Sequence, residues 1–525
     1  MDQSEAPILD GLVDYRKSNR YGFTPPGHRQ GRGTDDRVLD VLGHEPFRDD
    51  ILASGGLDDR RTSNKYLKRA EDLMAEAVGA EMAFFSTCGS SLSVKAAMMA
   101  VAGCGSTRGS GGSLLVARDS HKSVVAGLIF SGVQPRWITP RWDADRHFSH
   151  PPSPKQVNEA WEKHPDAAGA LVVSPSPYGT CTDLEAIAKV CHDRGKPLIV
   201  DEAWGAHLPF HEDLPTWAMD AGADVCVVSV HKMGAGFEQG SVFHVQGDLI
   251  DRDRLSACAD LLMTTSPNVM VYAALDGWRR QMVQHGRELL GDALELVRGL
   301  RNDIELIPDV EVLDDELLGK EASHDLDRLQ ILMDVSGTGT SGYQAADWLR
   351  EHKQTDLGMS DHRRLLATMS FADDKASGER LLDALWAWRK AANDFRPACA
   401  DPAAVAERDR TREHPTAPRR VLRTSGGGTS RKGQRQNLRR ADHAVSTGYP
   451  GGGPRRAAQR RGDRLPTLRP GGRHEHPRCG RRDAEDVPCG GLTVTRWRQT
   501  ILHAEALAVD VIFGLNHFPQ AVDGN

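Results

Sequence analysis

Residues Val227–Phe243 read "VVSVHKMGAGFEQGSVF": an apolar run ends at Ser229, His231 and Lys232 follow, and then a cluster of glycines. Ammonium groups avoid interiors. A lysine just beyond a buried run therefore has two readings, a surface charge or an amine held for covalent chemistry. The stretch alone leaves both open.

The same texture recurs along the chain. "SLLVARD" (Ser113–Asp119), "GALVVSPSP" (Gly169–Pro177), "PLIVDEA" (Pro197–Ala203) and "DVCVVSVHK" (Asp224–Lys232) are short apolar runs that end in polar residues. Between two of them, "LEAIAKVCHDRG" (Leu184–Gly195) has the apolar spacing of an amphipathic helix with a glycine stop. Near-continuous apolar strands alternating with helices predict an α/β fold, a mostly parallel sheet covered by helices. Ligands of such sheets gather at the carboxyl ends of strands, where Asp201, Ser229, His231 and Lys232 fall. A long helical pattern over Pro267–Asp303 leads into a smaller α+β region. That region holds the strand-like "LQILMDVS" (Leu329–Ser336) and helix patterns over Ser341–His352 and Ser377–Asp394.

The chain has 525 residues and a formal net charge of −7, enough length for two or more domains and no support for a nucleic-acid partner. The start, "MDQSEAPILDGLVDYRKSNR", lacks the basic-then-apolar pattern of a secretory signal, and no apolar run reaches bilayer length. Nine cysteines without a C-x-x-C pair fit reduced thiols. The expected setting is the cytoplasm, away from membranes.

Three further segments bear on Lys232. In "MAFFSTCGSSLSVKAAMMAV" (Met82–Val101), Gly89 permits a tight turn, and Ser90, Ser91 and the first N–H groups of a following helix suit a phosphate; a plain helix cap fits equally. His121 follows a strand end in "RDSHKS" (Arg118–Ser123), and capping or solvent contact is its simpler role. Asp201 ends a strand, where it either caps the next helix or faces a ligand's cationic nitrogen. One cofactor uses all of these together: pyridoxal 5′-phosphate, whose aldehyde forms an imine with lysine, whose phosphate needs a nest and whose pyridinium needs a carboxylate. No metal is called for.

In "TPPGHRQGRG" (Thr24–Gly33), "GLDD" (Gly56–Asp59), "FFSTCGSS" (Phe84–Ser91), "RDSHKS", "SPSPYGT" (Ser174–Thr180), "VDEAWGAH" (Val200–His207) and "SVHKMGAGFEQGS" (Ser229–Ser241), the chain resembles the ornithine/lysine/arginine decarboxylase family from about Ile8 to Asn393. The resemblance implies fold type I, the aspartate-aminotransferase fold. It implies that Lys232 carries the imine, Asp201 pairs with the pyridine nitrogen and His121 stacks on the ring. Ser90, Ser91, Ser229 and His231 become phosphate or cofactor contacts, Gly89 the turn of the phosphate loop, and Ala203 the small residue beneath the ring. A homodimer or an assembly of dimers is also implied, with a small-molecule amino acid as substrate. Two positions depart from the common pattern: "TCGSS" stands where members often carry "NGTS", and Trp204 stands where many have histidine.

The implied reaction is decarboxylation of a basic amino acid: lysine, ornithine or arginine. Cofactor chemistry alone also permits transamination, and an impaired interaction protein is the reading from another class. Glu202, Glu238 and Asp276 are acidic residues near these segments and are open candidates for meeting the distal substrate cation. The expected domains are an N-terminal arm (1–52), a large cofactor domain (53–295) and the start of a small domain (296–395). The arm mixes an amphipathic stretch with Gly/Pro-rich chain, fitting a cross-subunit arm or a plain surface arm.

Residues 396–525 change character and are rich in Arg, Gly and Pro. A disordered basic tail is the bland reading, with arginine-tract binding of phosphate behind it. Permissible codons read one base out of frame turn "HAVSTGYPGGGP" (His443–Pro454) into "MPYPPGIPAVAP" and "HEHPRCGRRDAEDVPCG" (His474–Gly490) into "MNIPDAADATLKTFRAV". Both resemble the family's closing segments and occur in its order, so a frameshift between about residues 390 and 415 is the favoured account.

Overall fold

The computed structural model describes residues 1–53, 57, 66–103 and 112–395. The tail from 396 onward, and "GLDD" apart from Leu57, lie outside the described residues. Seven strands form the central sheet: β1 (Met82–Ser86), β2 (Ser113–Ala117), β3 (Gln134–Ile138), β4 (Ala170–Val173), β5 (Leu198–Asp201), β6 (Val225–Ser229) and β7 (Ser241–Val245). Their order is β1-β7-β6-β5-β4-β2-β3. Neighbours from β6 across to β3 run parallel, while β7 is antiparallel to both β6 and β1.

The helices that matter for the site are α1 (Pro7–Lys17), α2 (Ser90–Ala102), α3 (Lys122–Ser131), α4 (Leu184–His192), α5 (Val269–Glu305), α6 (Gly342–Lys353) and α7 (Lys375–Ala392). Their starts follow from local chemistry. Asp183, Asn268, Ser341 and Asp374 each accept a backbone N–H of the first turn, satisfying donors that a helix start leaves without partners.

Alternation along the strands sorts the core into two faces. Leu115, Val172, Val200 and Cys226 pack on one face with Ile187 and Cys191 of α4. Leu114, Leu171, Ile199 and Val227 pack on the other with Ala96, Ala97 and Met98 of α2. Because both faces are covered, the strands carry apolar residues at consecutive positions, and each fully buried aliphatic side chain contributes about 1.5–3 kcal/mol. The same alternation sends Asp201 and Ser229 toward the α2 face and Glu202 toward the other.

The smaller α+β region has a four-stranded antiparallel sheet: β8 (Glu311–Leu313), β9 (Gln330–Asp334), β10 (Met359–Ser360) and β11 (Arg364–Thr368), ordered β8-β9-β11-β10. Ile331, Met333, Leu365 and Ala367 belong to the same core as Leu349 of α6 and Leu385 and Trp388 of α7. On the reverse side, Leu332 and Leu366 cluster with Phe148.

Part of the N-terminal segment is fastened to its own chain. Ile8 and Leu12 of α1 are buried, and the Ile8 N–H donates to Asp276 Oδ2 at 2.9 Å. Arg279 donates to the carbonyl of Gln3 (2.8 Å), to the carbonyl of Glu5 and to Asp276 Oδ1 (2.9 Å).

Candidate active site

The lysine stretch closes β6 and enters a single helical turn, Val230–Met233. Three contacts hold that turn. His231 Nδ1 lies 3.1 Å from the Gly240 carbonyl. The backbone at Gly234 faces the Trp278 ring so closely that a Cβ there would stand 2.7 Å from it. Met233 is buried and accepts a hydrogen bond from Gln330. Lys232 is half-buried and points its Nζ at the Trp204 ring, 4.3 Å from the centroid. The departure noted at Trp204 therefore places an aromatic face against the lysine amine, a cation–π arrangement.

Asp201 ends β5 and is 3% exposed. Its Oδ1 has no hydrogen-bond partner among the described residues, and it does not cap a helix; the capping alternative is not what the chain does here. Burial pushes its carboxyl up to about 6, against the opposing pull of the Lys232 charge. Burial likewise holds Lys232 below the ordinary lysine value, and Asp201 partly restores it. A buried carboxylate oxygen with no donor is costly unless something cationic or hydrogen-bonding meets it.

The glycine turn also differs from an ordinary serine-capped start. Gly89, at φ +73°, is the residue that precedes α2, and no side chain caps the helix. Its N–H donates to the Gln239 carbonyl at 2.9 Å. Ser229 Oγ donates to Ser90 Oγ at 2.6 Å, bringing the end of β6 to the first residue of α2 although the two are 139 positions apart. Ser91 is the next residue of α2 and is half-buried. Thr87, not singled out in the sequence, has a buried Oγ1 without a partner among the described residues. Its polar type just before the turn was the only signal.

His121 caps α3, its Nδ1 accepting the Ser123 N–H at 3.3 Å, with Ser123 Oγ 2.9 Å away. The residue as a whole is exposed, yet lost hydration is the first influence on its ring. Together with the charges of Lys232 and Lys122, this holds the imidazole below its ordinary value. Ala203, buried, lies two residues beyond Asp201.

The three acidic candidates separate. Glu202 turns to the opposite face, where Oε2 accepts the Ala218 N–H (3.3 Å) and the Cys226 thiol (3.0 Å). Burial raises it well above the usual carboxylate range, which favours a neutral side chain. Asp276 is engaged by Arg279 and Ile8. Glu238 is 91% exposed and stands 3.8 Å from His231 Nε2. The structure thus removes Glu202 and Asp276 as free carboxylates for a substrate cation.

A sheet edge carrying a lysine amine, a buried carboxylate and an uncapped helix start suits an aldehyde-bearing, phosphate-bearing cation. Comparison with known proteins shows the family. The sequence pattern of the Orn/Lys/Arg decarboxylase major domain matches residues 6–327. The chain belongs to this family.

Within the family, the chain is 36% identical to an arginine decarboxylase of Halalkalibacterium halodurans over 383 residues, covering 73% of this chain and 77% of that one. It shares its fold with the Francisella novicida lysine decarboxylase LdcF at a TM-score of 0.63 and 19% identity, over 74% of this chain and 60% of that one. Serine palmitoyltransferase of Sphingomonas wittichii superposes at a TM-score of 0.51 and 16% identity, over 75% of this chain and 85% of that one. The architecture is that of fold type I, and the family is one of amino-acid decarboxylases.

Proposed function

We propose that the chain decarboxylates a basic amino acid with pyridoxal 5′-phosphate held on Lys232. The observation that carries this reading is the unpartnered, buried Oδ1 of Asp201 close enough to Lys232 for each charge to act on the other. Asp201 fits a protonated ring nitrogen, and the Gly89 turn with Ser90, Ser91 and Ser229 fits a phosphate dianion. Ala203 would leave room beneath a flat ring, His231 lies in the lysine turn, and His121 is within electrostatic reach of Lys232. Thr87 adds a free buried hydroxyl beside the phosphate loop. Bound there, the cofactor supplies a conjugated cationic ring that accepts the electron pair left when a substrate loses its carboxylate.

The residues of the chain do the rest. Asp201 would keep a bound ring nitrogen protonated, because a carboxylate in a dry site favours a charged partner. Lys232, its amine held below the ordinary value by burial, would hold the cofactor's aldehyde, give that place up to a substrate amine and serve as the nearby proton donor. His121 holds the ring plane. Trp204 narrows the space beside the amine and excludes water there.

Borohydride reduction of the cofactor-loaded chain followed by peptide mass spectrometry is expected to place the label on Lys232; a label on another lysine rejects the site. Carbon dioxide release with lysine, ornithine and arginine, with the amine product identified, tests the reaction and ranks the substrates. Keto-acid formation without carbon dioxide would assign an aminotransferase.

The same reading carries the homodimer or assembly of dimers, the division into arm, large and small domains, and a cytoplasmic setting. No helix among the described residues is long and apolar enough to cross a membrane. Light scattering across a concentration series tests assembly, and a fully active monomer would reject a shared site.

A further inference from the structure

Gln330 opens β9 of the small sheet and is 1% exposed. Its two amide functions point in different directions. Oε1 accepts from Thr368 Oγ1 at 2.9 Å, across the β9–β11 pair in which the two residues are in register. Nε2 donates to Met233 Sδ at 3.2 Å, and Met233 is the residue immediately after Lys232. The backbone of Gln330 is anchored as well: its N–H donates to the Asp327 carbonyl (3.1 Å), and its carbonyl accepts from Arg301 Nη2 (2.8 Å). Gly179, at φ +91° in the segment that follows β4, presses against its side chain, where a Cβ would stand 3.0 Å from Gln330 Cβ.

A thioether is a weak acceptor, so an amide buried against methionine stabilises the fold little compared with leucine packed in the same space. What the amide adds is direction. It links a hydroxyl on the small sheet to the turn that carries the lysine, a turn that Gly240 and Trp278 also hold.

We propose that Gln330 is a positioning residue for Lys232, through which the small sheet sets where the lysine amine stands between Asp201 and Trp204. The proposal rests on the reading of Lys232 as the cofactor lysine for its functional meaning, but not for its test. The charged and titratable groups that share an electrostatic influence with the amine are Asp201 at the end of β5 and His121 before α3, while His231 and Glu238 on the lysine's own segment stand 3.8 Å from each other. The Gln330 side chain is neutral, so its replacement changes none of these charges and acts only through position. Without the tether the turn relaxes, the amine moves toward water, and its basicity rises toward that of an ordinary lysine.

The test uses the full cofactor-free chain. The pH dependence of Lys232 acylation by acetic anhydride is read by peptide mass spectrometry, beside thermal unfolding. Gln330→Leu and Met233→Leu are each expected to raise the labelling midpoint by about half a pH unit, roughly a threefold loss of neutral amine at fixed pH. Thr368→Val, remote from the lysine, is expected to shift it in the same direction by less. Unfolding temperatures should change little. A midpoint unmoved in Gln330→Leu and Met233→Leu, whatever the unfolding temperature, overturns the proposal and leaves Gln330 a packing residue. The functional reading fails separately, if borohydride reduction of the loaded parent chain leaves Lys232 unlabelled.

Discussion

Replacing Asp201 with asparagine should stabilise the cofactor-free chain while weakening its hold on the cofactor. The carboxyl is 3% exposed, has an oxygen without a donor, and titrates near pH 6 in place of its ordinary 3.8. Between those values the folded chain binds more protons than the unfolded chain, so stability falls as pH rises from about 4 through about 6. A gap of about two units corresponds to about 3 kcal/mol lost in full above that window. Asp201→Asn has no charge to bury and escapes this loss. The variant and the parent should be equally stable near pH 4, and the variant more stable at pH 7 by roughly 2–3 kcal/mol, the lower end allowing for the amide's unpaired N–H groups. Chemical unfolding of both cofactor-free chains from pH 4 to 7.5 measures the difference. A parent curve flat through that window, or a variant less stable at pH 7, would refute the argument. With cofactor added the order should reverse, since asparagine offers the ring nitrogen no negative charge.

Three other outcomes are expected. Trp204→Leu removes the aromatic face 4.3 Å from Lys232 Nζ, and a lost cation–π contact lowers the amine by about half a unit to one unit; labelling of Lys232 against pH checks this. Arg279→Met leaves the Asp276 carboxylate buried without its cation, which should cost about 3–5 kcal/mol and release residues 1–8 to proteolysis, read by unfolding and by cleavage mapping. Returning the tail to the inferred reading frame after about residue 395 should raise soluble yield, unfolding temperature, cofactor absorbance and product formation, because Leu306 and Trp386 of the smaller region stand exposed and an Arg/Gly/Pro-rich segment offers little apolar surface to cover them. Equal values for both chains, with a protease-resistant tail, would make the tail a genuine extension.

What the sequence determined by itself lies in short-range pattern. The runs that became β2, β4, β5 and β6, the helix over Leu184–His192 and the long helix from Val269 were legible because burial on both faces of a parallel sheet, or on one stripe of a helix, writes a period into neighbouring residues. The order of turn, histidine, aspartate and lysine was legible too, and the family likeness gave that order its chemistry. Tertiary structure decided what no local pattern encodes. Strand alternation put Asp201 on the α2 side of the sheet and Glu202, its neighbour, among Cys226 and Ala218. It sent Asp276 to Arg279 and the N-terminal segment, so that a carboxylate near the right segment in sequence is spent on structure. It set Trp204 against the lysine amine, and it brought Gln330 to Met233 across 97 positions. These contacts join residues from separate elements, and their energies depend on burial that exists only once the sheet, its helices and the smaller region have packed together.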